Sequence, residues 1–157
     1  MPIDFVERLL RGRIAEFIFQ EMLRETKMFT VIPFGYEYTF PVLADHQNQP
    51  EIKNMLSFIR KSPDFAVVSK TEQKVYLVEV KYRTSFHPRD ALEIAEGMLE
   101  HWDLSWLFIA TSGGFLFSSC GEIKKTRGKM EHLSLSWVPK YIQDKYLDLL
   151  RRYEKGA

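Results

Sequence analysis

Apolar positions recur at helical spacing from residue 2 to about 27. At about 100° per residue, Phe5, Leu9, Gly12, Phe19 and Leu23 fall on one strip, with Glu16 at its centre. Leu10, Ile14 and Ile18 lie on the opposite side, so the helix is expected to be covered from more than one direction. Pro2 suits a first turn, and Asp4 favours the positive end of the helix dipole. The period then changes from helical to alternate. Ile32, Phe34, Tyr36, Tyr38, Phe40 and Val42 predict a strand with these side chains on its buried face, bent by Pro33 and Gly35. A polar loop at 44–50 and a short helix at 50–61 follow. Asp64–Ser69 and Lys74–Tyr82 read as a hairpin joined by the turn Lys70-Thr71-Glu72-Gln73.

The second half alternates in the same way. A helix is expected near 88–101, with Leu92, Ala95, Leu99 and Trp102 on one side. Ser105–Thr111 and Phe115–Cys120 read as strands around a turn at Ser112-Gly113-Gly114. Residues 121–131 read as a basic loop and 132–138 as a further strand. Pro139 opens a last helix with Ile142, Tyr146, Leu149 and Tyr153 along a seam, ending at Gly156. This order predicts an α/β fold in which helices cover a mixed central sheet. With no repeat, linker or low-complexity tract, one domain is expected over 1–157.

Composition narrows the chemistry. Apolar residues make up 45% and charged residues 27%, which is an ordinary folded mix. A net charge of +1 gives no global pull toward nucleic acid, so any such pull must be local. Cys120 is the only cysteine, which excludes an internal disulfide and a zinc site of several cysteines. That usage fits a reducing, cytoplasmic setting. The charged N-terminus does not resemble a secretory signal, and no apolar run has the length of a membrane span.

Three polar residues interrupt the apolar hairpin. In Lys74–Tyr82, Tyr76, Val78, Val80 and Tyr82 face one way and Val75, Leu77, Glu79 and Lys81 the other. Glu79 and Lys81 are thus about 6–7 Å apart on one face. Asp64 opens the partner strand and can lie beside Glu79. Two carboxylates brought together repel and resist desolvation. A hard cation such as Mg²⁺ removes both problems, because it takes one or two carboxylates and keeps several waters.

Pro63-Asp64 and Glu79-Val80-Lys81, in this order and spacing, resemble the PD and E-X-K elements of the PD-(D/E)XK nuclease superfamily. Glu16 resembles the glutamate that many members carry on a helix before the sheet, although Glu21 and Glu25 share that helix. The resemblance covers residues 1 to about 112 and implies a restriction-endonuclease-like core, with the remaining strands and helix added. It implies that Asp64, Glu79 and the Val80 carbonyl hold Mg²⁺, for which Mn²⁺ can substitute. It also implies in-line attack of a water on a phosphodiester of nucleic acid, DNA rather than RNA. Lys81 would orient the water or stabilise the attacked phosphate. Glu16 would hold a second metal, a water or the lysine.

The chain departs from two branches of that family. The helix after E-X-K lacks the Gln and Tyr of the helicase-associated exonucleases. Asp90, Glu93, Glu96 and Glu100 make that helix acidic, unlike the strongly basic junction resolvases. Local basic residues are the remaining candidates for phosphate contact: Arg83, His87 and Arg89 after the motif, and Lys124, Lys125, Arg127 and Lys129 further on. The competing reading is a catalytically silent module of the same fold that binds nucleic acid or a protein partner, or forms a homodimer. A hydrolase acting on a non-nucleic substrate is a third.

Overall fold

The structure is a computed structural model that describes residues 2–34 and 62–156. The predicted strand beyond Phe34, the loop with His46 and the helix at 50–61 lie outside the described residues. Within them, helix α1 spans Ile3–Glu25, α2 Pro88–Leu99, α3 Cys120–Lys125 and α4 Lys140–Gly156. Strands β1 (Phe29–Pro33), β2 (Phe65–Ser69), β3 (Lys74–Tyr82), β4 (Ser105–Thr111) and β5 (Gly114–Ser119) form one mixed sheet in sequence order. The fold is therefore α/β, a five-stranded mixed sheet flanked by helices.

Local chemistry sets each turn. Ser69 closes the β2–β3 hairpin by accepting the Glu72 N–H at 3.1 Å, and Gln73 takes a left-handed φ of 53°. Thr111 closes the β4–β5 turn. Its hydroxyl donates to the Gly114 carbonyl at 2.9 Å and accepts the Gly113 N–H at 3.1 Å. Only β3 and β4 run parallel, and the crossover that parallel pairing requires is α2.

Two cores sandwich the sheet. On one face α1 and α4 cover Val67, Tyr76, Val78, Val80 and Phe108. Phe19 is fully buried there, with ring centroids 5.4 Å from Phe65 and 4.9 Å from Phe108. On the other face Leu107, Ile109 and Leu116 meet Ala91, Ala95 and Met98 of α2 and Ile123 of α3. Cys120 is buried in this second core, as a small hydrophobe would be.

Several expectations need correction. The buried face of β1 carries Phe29 and Val31, whereas Ile32 and Phe34 are exposed, so the alternation was read one residue out of phase. The α1 strip is buried only at its C-terminal half. Phe5 and Leu9 are about half exposed, at 47% and 49%, because α1 outruns the apolar core that covers it. Residues 132–138 are not a strand. A single bridge from His132 to Leu116 is followed by turns, with Ser134 accepting the Ser136 N–H at 3.1 Å. Ser119 stops β5 one residue early, since its Oγ accepts the Glu122 N–H and caps α3. The expected loop at 121–131 therefore begins as a helix. In α4, Leu150 is buried in place of Leu149.

These placements set the energetics. Phe19→Ala should cost about 3–5 kcal/mol in urea denaturation, and Leu9→Ala less than about 1 kcal/mol. Equal costs would contradict the burial of α1 described above.

Candidate active site

The site exists because β3 is longer than β2. The β2–β3 ladder ends at Phe65 opposite Val78, while β3 stays paired with β4 on its other side as far as Tyr82 opposite Ala110. Among the described residues, no strand pairs with Glu79–Tyr82 on the β2 side. Asp64 stands one residue beyond the ladder, opposite Glu79. Its backbone is fixed by the Phe34 N–H, which donates to its carbonyl at 2.8 Å. Its side chain replaces the missing strand: Oδ2 accepts the Val80 N–H at 2.8 Å.

That position brings two carboxyl groups together. Asp64 is half-buried and lies at hydrogen-bonding range of Glu79. Burial first, then the hydrogen bond and the charge of Glu79, push the Asp64 carboxyl up to about 9. The Val80 N–H and the Lys81 ammonium pull it back only in part. In the absence of a cation, Asp64 thus stays protonated at neutral pH and can donate to Glu79. Asp64, Glu79 and Lys81 are brought together as their spacing predicts.

A cavity of about 510 Å³ opens over the end of β3. Asp64, Val80 and Lys81 line one wall, and Gly12 and Glu16 of α1 line the opposite one. Glu79 meets Asp64 but is not among the lining residues. Of the three α1 glutamates considered, Glu16 alone reaches the cavity. It also pairs with Arg13 at 3.2 Å, while Glu21 pairs with Arg24 and Glu25 with Lys145.

The donor set fits a hard cation in a limited way. Among the described residues, no three His, Cys, Asp or Glu side chains converge as a metal-binding group. Mg²⁺ does not need three, since it is held by one or two carboxylates and keeps its waters. Asp64 and Glu79 supply these, and a cation would let both carboxyl groups ionise side by side. The Val80 carbonyl adds a neutral oxygen. In a strand it points to the same side as its own N–H, and that N–H faces Asp64 beyond the end of β2.

The basic candidates are distributed differently. Arg83 lines the cavity, but its guanidinium grips Asp90 at 2.6 and 3.2 Å and the Tyr82 carbonyl at 2.8 Å. It ties β3 to α2. Arg89 is exposed on the first turn of α2 and does not line the cavity. Lys124 and Lys125 end α3, Lys125 pairing with Glu122 at 3.6 Å. Lys129 borders a separate cavity beside Trp106 and Glu131. The loop holding Arg127 and Lys129 is anchored through Gly128, at φ +106°, where an added Cβ would meet the Pro88 carbonyl oxygen at 2.1 Å. His87 precedes α2 and contacts Ser85 at 3.1 Å.

Arg8, Arg11 and Thr84 line the cavity and were not anticipated from the sequence. For Arg8 the sequence carried a signal: Gly12 and Arg8 stand one and two helical turns before Glu16.

The acid pair makes a pH prediction for the metal-free protein. Asp64 releases its proton near 9 when folded and near about 4 when unfolded. Folding therefore retains a proton between those values, so stability falls as pH rises through that window. Asp64→Asn keeps an acceptor for Val80 and cannot ionise, so it should flatten this fall and be the more stable protein at about pH 8. Urea unfolding in EDTA across the window measures it. A wild-type slope no steeper than that of Asp64→Asn would contradict the buried acid pair.

The chain matches no known protein-family model, and no curated protein is significantly similar to it. The case for what this site does therefore rests on its own geometry.

Proposed function

We propose that the chain is a divalent-metal-dependent phosphodiesterase acting on nucleic acid, DNA rather than RNA, built on a restriction-endonuclease-like core. The observation that carries this reading is the Asp64–Glu79 carboxyl pair at the open end of β3, with Lys81 beside it. The order helix, strand, hairpin, helix, strand is the order that the resemblance to PD-(D/E)XK nucleases implies.

Asp64, Glu79 and the Val80 carbonyl would hold Mg²⁺ or Mn²⁺. When bound, the cation supplies Lewis-acid polarisation of a phosphodiester and activation of water. The chain's own groups set the geometry. The Val80 N–H fixes the orientation of the Asp64 carboxylate. Lys81 borders the cavity and its positive charge acts on Asp64, so it would meet the charge that develops on an attacked phosphate. Glu16, on the facing wall, would position water across the cavity.

A second reading keeps the fold and drops the hydrolysis: a module that binds nucleic acid or a protein partner. It is favoured by the Glu16–Arg13 ion pair and by the lack of a third metal-ligating side chain beside the acid pair among the described residues.

Cleavage of labelled single-stranded, duplex and branched DNA, and of RNA, in Mg²⁺ or Mn²⁺ separates the two. Asp64→Asn, Glu79→Gln and Lys81→Ala should each lower cleavage about a hundredfold or more, with unchanged far-UV circular dichroism. Glu16→Gln should cost less. Lys81→Ala cleaving as fast as wild type would overturn the assignment. No wild-type cleavage of any substrate would leave the binding module.

A further inference from the structure

The rim of the cavity carries positive charge that the acid pair does not use. Helix α1 has four arginines, Arg8, Arg11, Arg13 and Arg24. Arg13 and Arg24 are neutralised by Glu16 and Glu21. Arg8 and Arg11 have no carboxylate in ion-pair range among the described residues, and these are the two that line the cavity. An exposed arginine without a partner is ordinary. Two of them lining the same cavity as Asp64 are not explained by solvation.

Arg11 is also held in place. Its guanidinium lies over the Tyr82 ring, 5.8 Å from the centroid. Tyr82 is fixed from behind, because its hydroxyl donates to Glu154 of α4. A planar fork presented in this way suits a phosphate. Arg8 is anchored more loosely, its Nε reaching the Asp4 carbonyl at 3.3 Å.

Gly12 completes the groove. It lines the same wall, and a Cβ added there would meet nothing within 4 Å. Glycine inside a helix is normally a cost in stability. Here packing does not demand it, and at this point the cavity wall is bare backbone.

Resting on the phosphodiesterase reading, we propose that Arg8 and Arg11 bind a backbone phosphate next to the scissile one, so that the nucleic-acid strand runs along α1 past Gly12. Recognition at this site is of a polyanionic strand. The basic residues Lys124, Lys125, Arg127 and Lys129, of which Lys129 borders a different cavity, are then secondary.

The test is binding of a labelled oligonucleotide, single-stranded and duplex, by fluorescence anisotropy in EDTA across a salt series. Wild type is compared with Arg8→Gln/Arg11→Gln, with Arg8→Lys/Arg11→Lys, and with Arg152→Gln, an exposed α4 arginine paired with Asp148. Removing both arginines should weaken binding about tenfold or more. The magnitude of the salt slope should shrink by about 0.7 to 0.9, the loss of one phosphate contact. The lysine pair should restore much of the slope, and Arg152→Gln should match wild type. Binding by the glutamine pair with an unchanged slope would overturn the proposal, as would a wild type whose binding does not depend on salt. Cleavage by wild type in Mn²⁺, measured in parallel, reports on the phosphodiesterase reading alone. Arginine-dependent binding without cleavage keeps this proposal and removes that reading; cleavage with arginine-independent binding does the reverse.

Discussion

The hydrogen bond from the Val80 N–H to Asp64 Oδ2 ties the ladder to the site. It forms where β2 stops and β3 continues, so a carboxyl group takes the place of a backbone carbonyl in the sheet. A strand there would have satisfied Val80 at no electrostatic cost. Asp64 satisfies it while standing beside Glu79, and that proximity makes the end of the sheet unfavourable for two full negative charges. The rest of the structure supports this arrangement. Phe34 fixes the Asp64 backbone, the second core of Leu107 and Ile109 holds the strand that pairs with Glu79 and Lys81, and Arg83 clamps the strand end to α2.

The surroundings decide what that local cost can be used for. The wall opposite Asp64 is a stretch of α1 that leaves the apolar core, so it carries Gly12, Glu16 and two arginines where a buried helix would carry leucines. The cavity therefore offers Asp64, with Glu79 behind it, and unneutralised cations from α1. A hard cation suits the first, and a phosphate suits the second. Their separation across one open groove is the physical basis for reading the two as parts of a single phosphodiester site.

Much of this was legible in the sequence, for physical reasons that differ by element. β3 was readable because one of its faces is wholly apolar, so Glu79 and Lys81 stand out by parity on the other. The α2 side chains Ala95 and Leu99 were readable because α2 is amphipathic in the ordinary way. β1 was misread because both of its faces carry apolar residues, and alternation alone cannot say whether Val31 or Ile32 points inward. The segment 132–138 misled for the opposite reason: Leu133, Leu135 and Trp137 alternate, but two serines close it into turns and of these three only Leu133 is buried. Arg8 shares a helical row with Glu16 and Arg11 does not, and both went unnoticed because a charged residue near the end of a helix is normally solvated. Only the tertiary approach of α1 to Tyr82 gives them a place.

If the account is right, Asp64 and Glu79 exchange a proton for a divalent cation. Calorimetric titration of the protein with Mg²⁺ or Mn²⁺ near neutral pH, in two buffers of different ionisation enthalpy, counts the protons released on binding. Wild type should release about one proton per bound cation, and Asp64→Asn should bind more weakly and release almost none. Binding by wild type with no dependence on buffer, or no binding at all, would contradict a protonated acid pair poised for a metal.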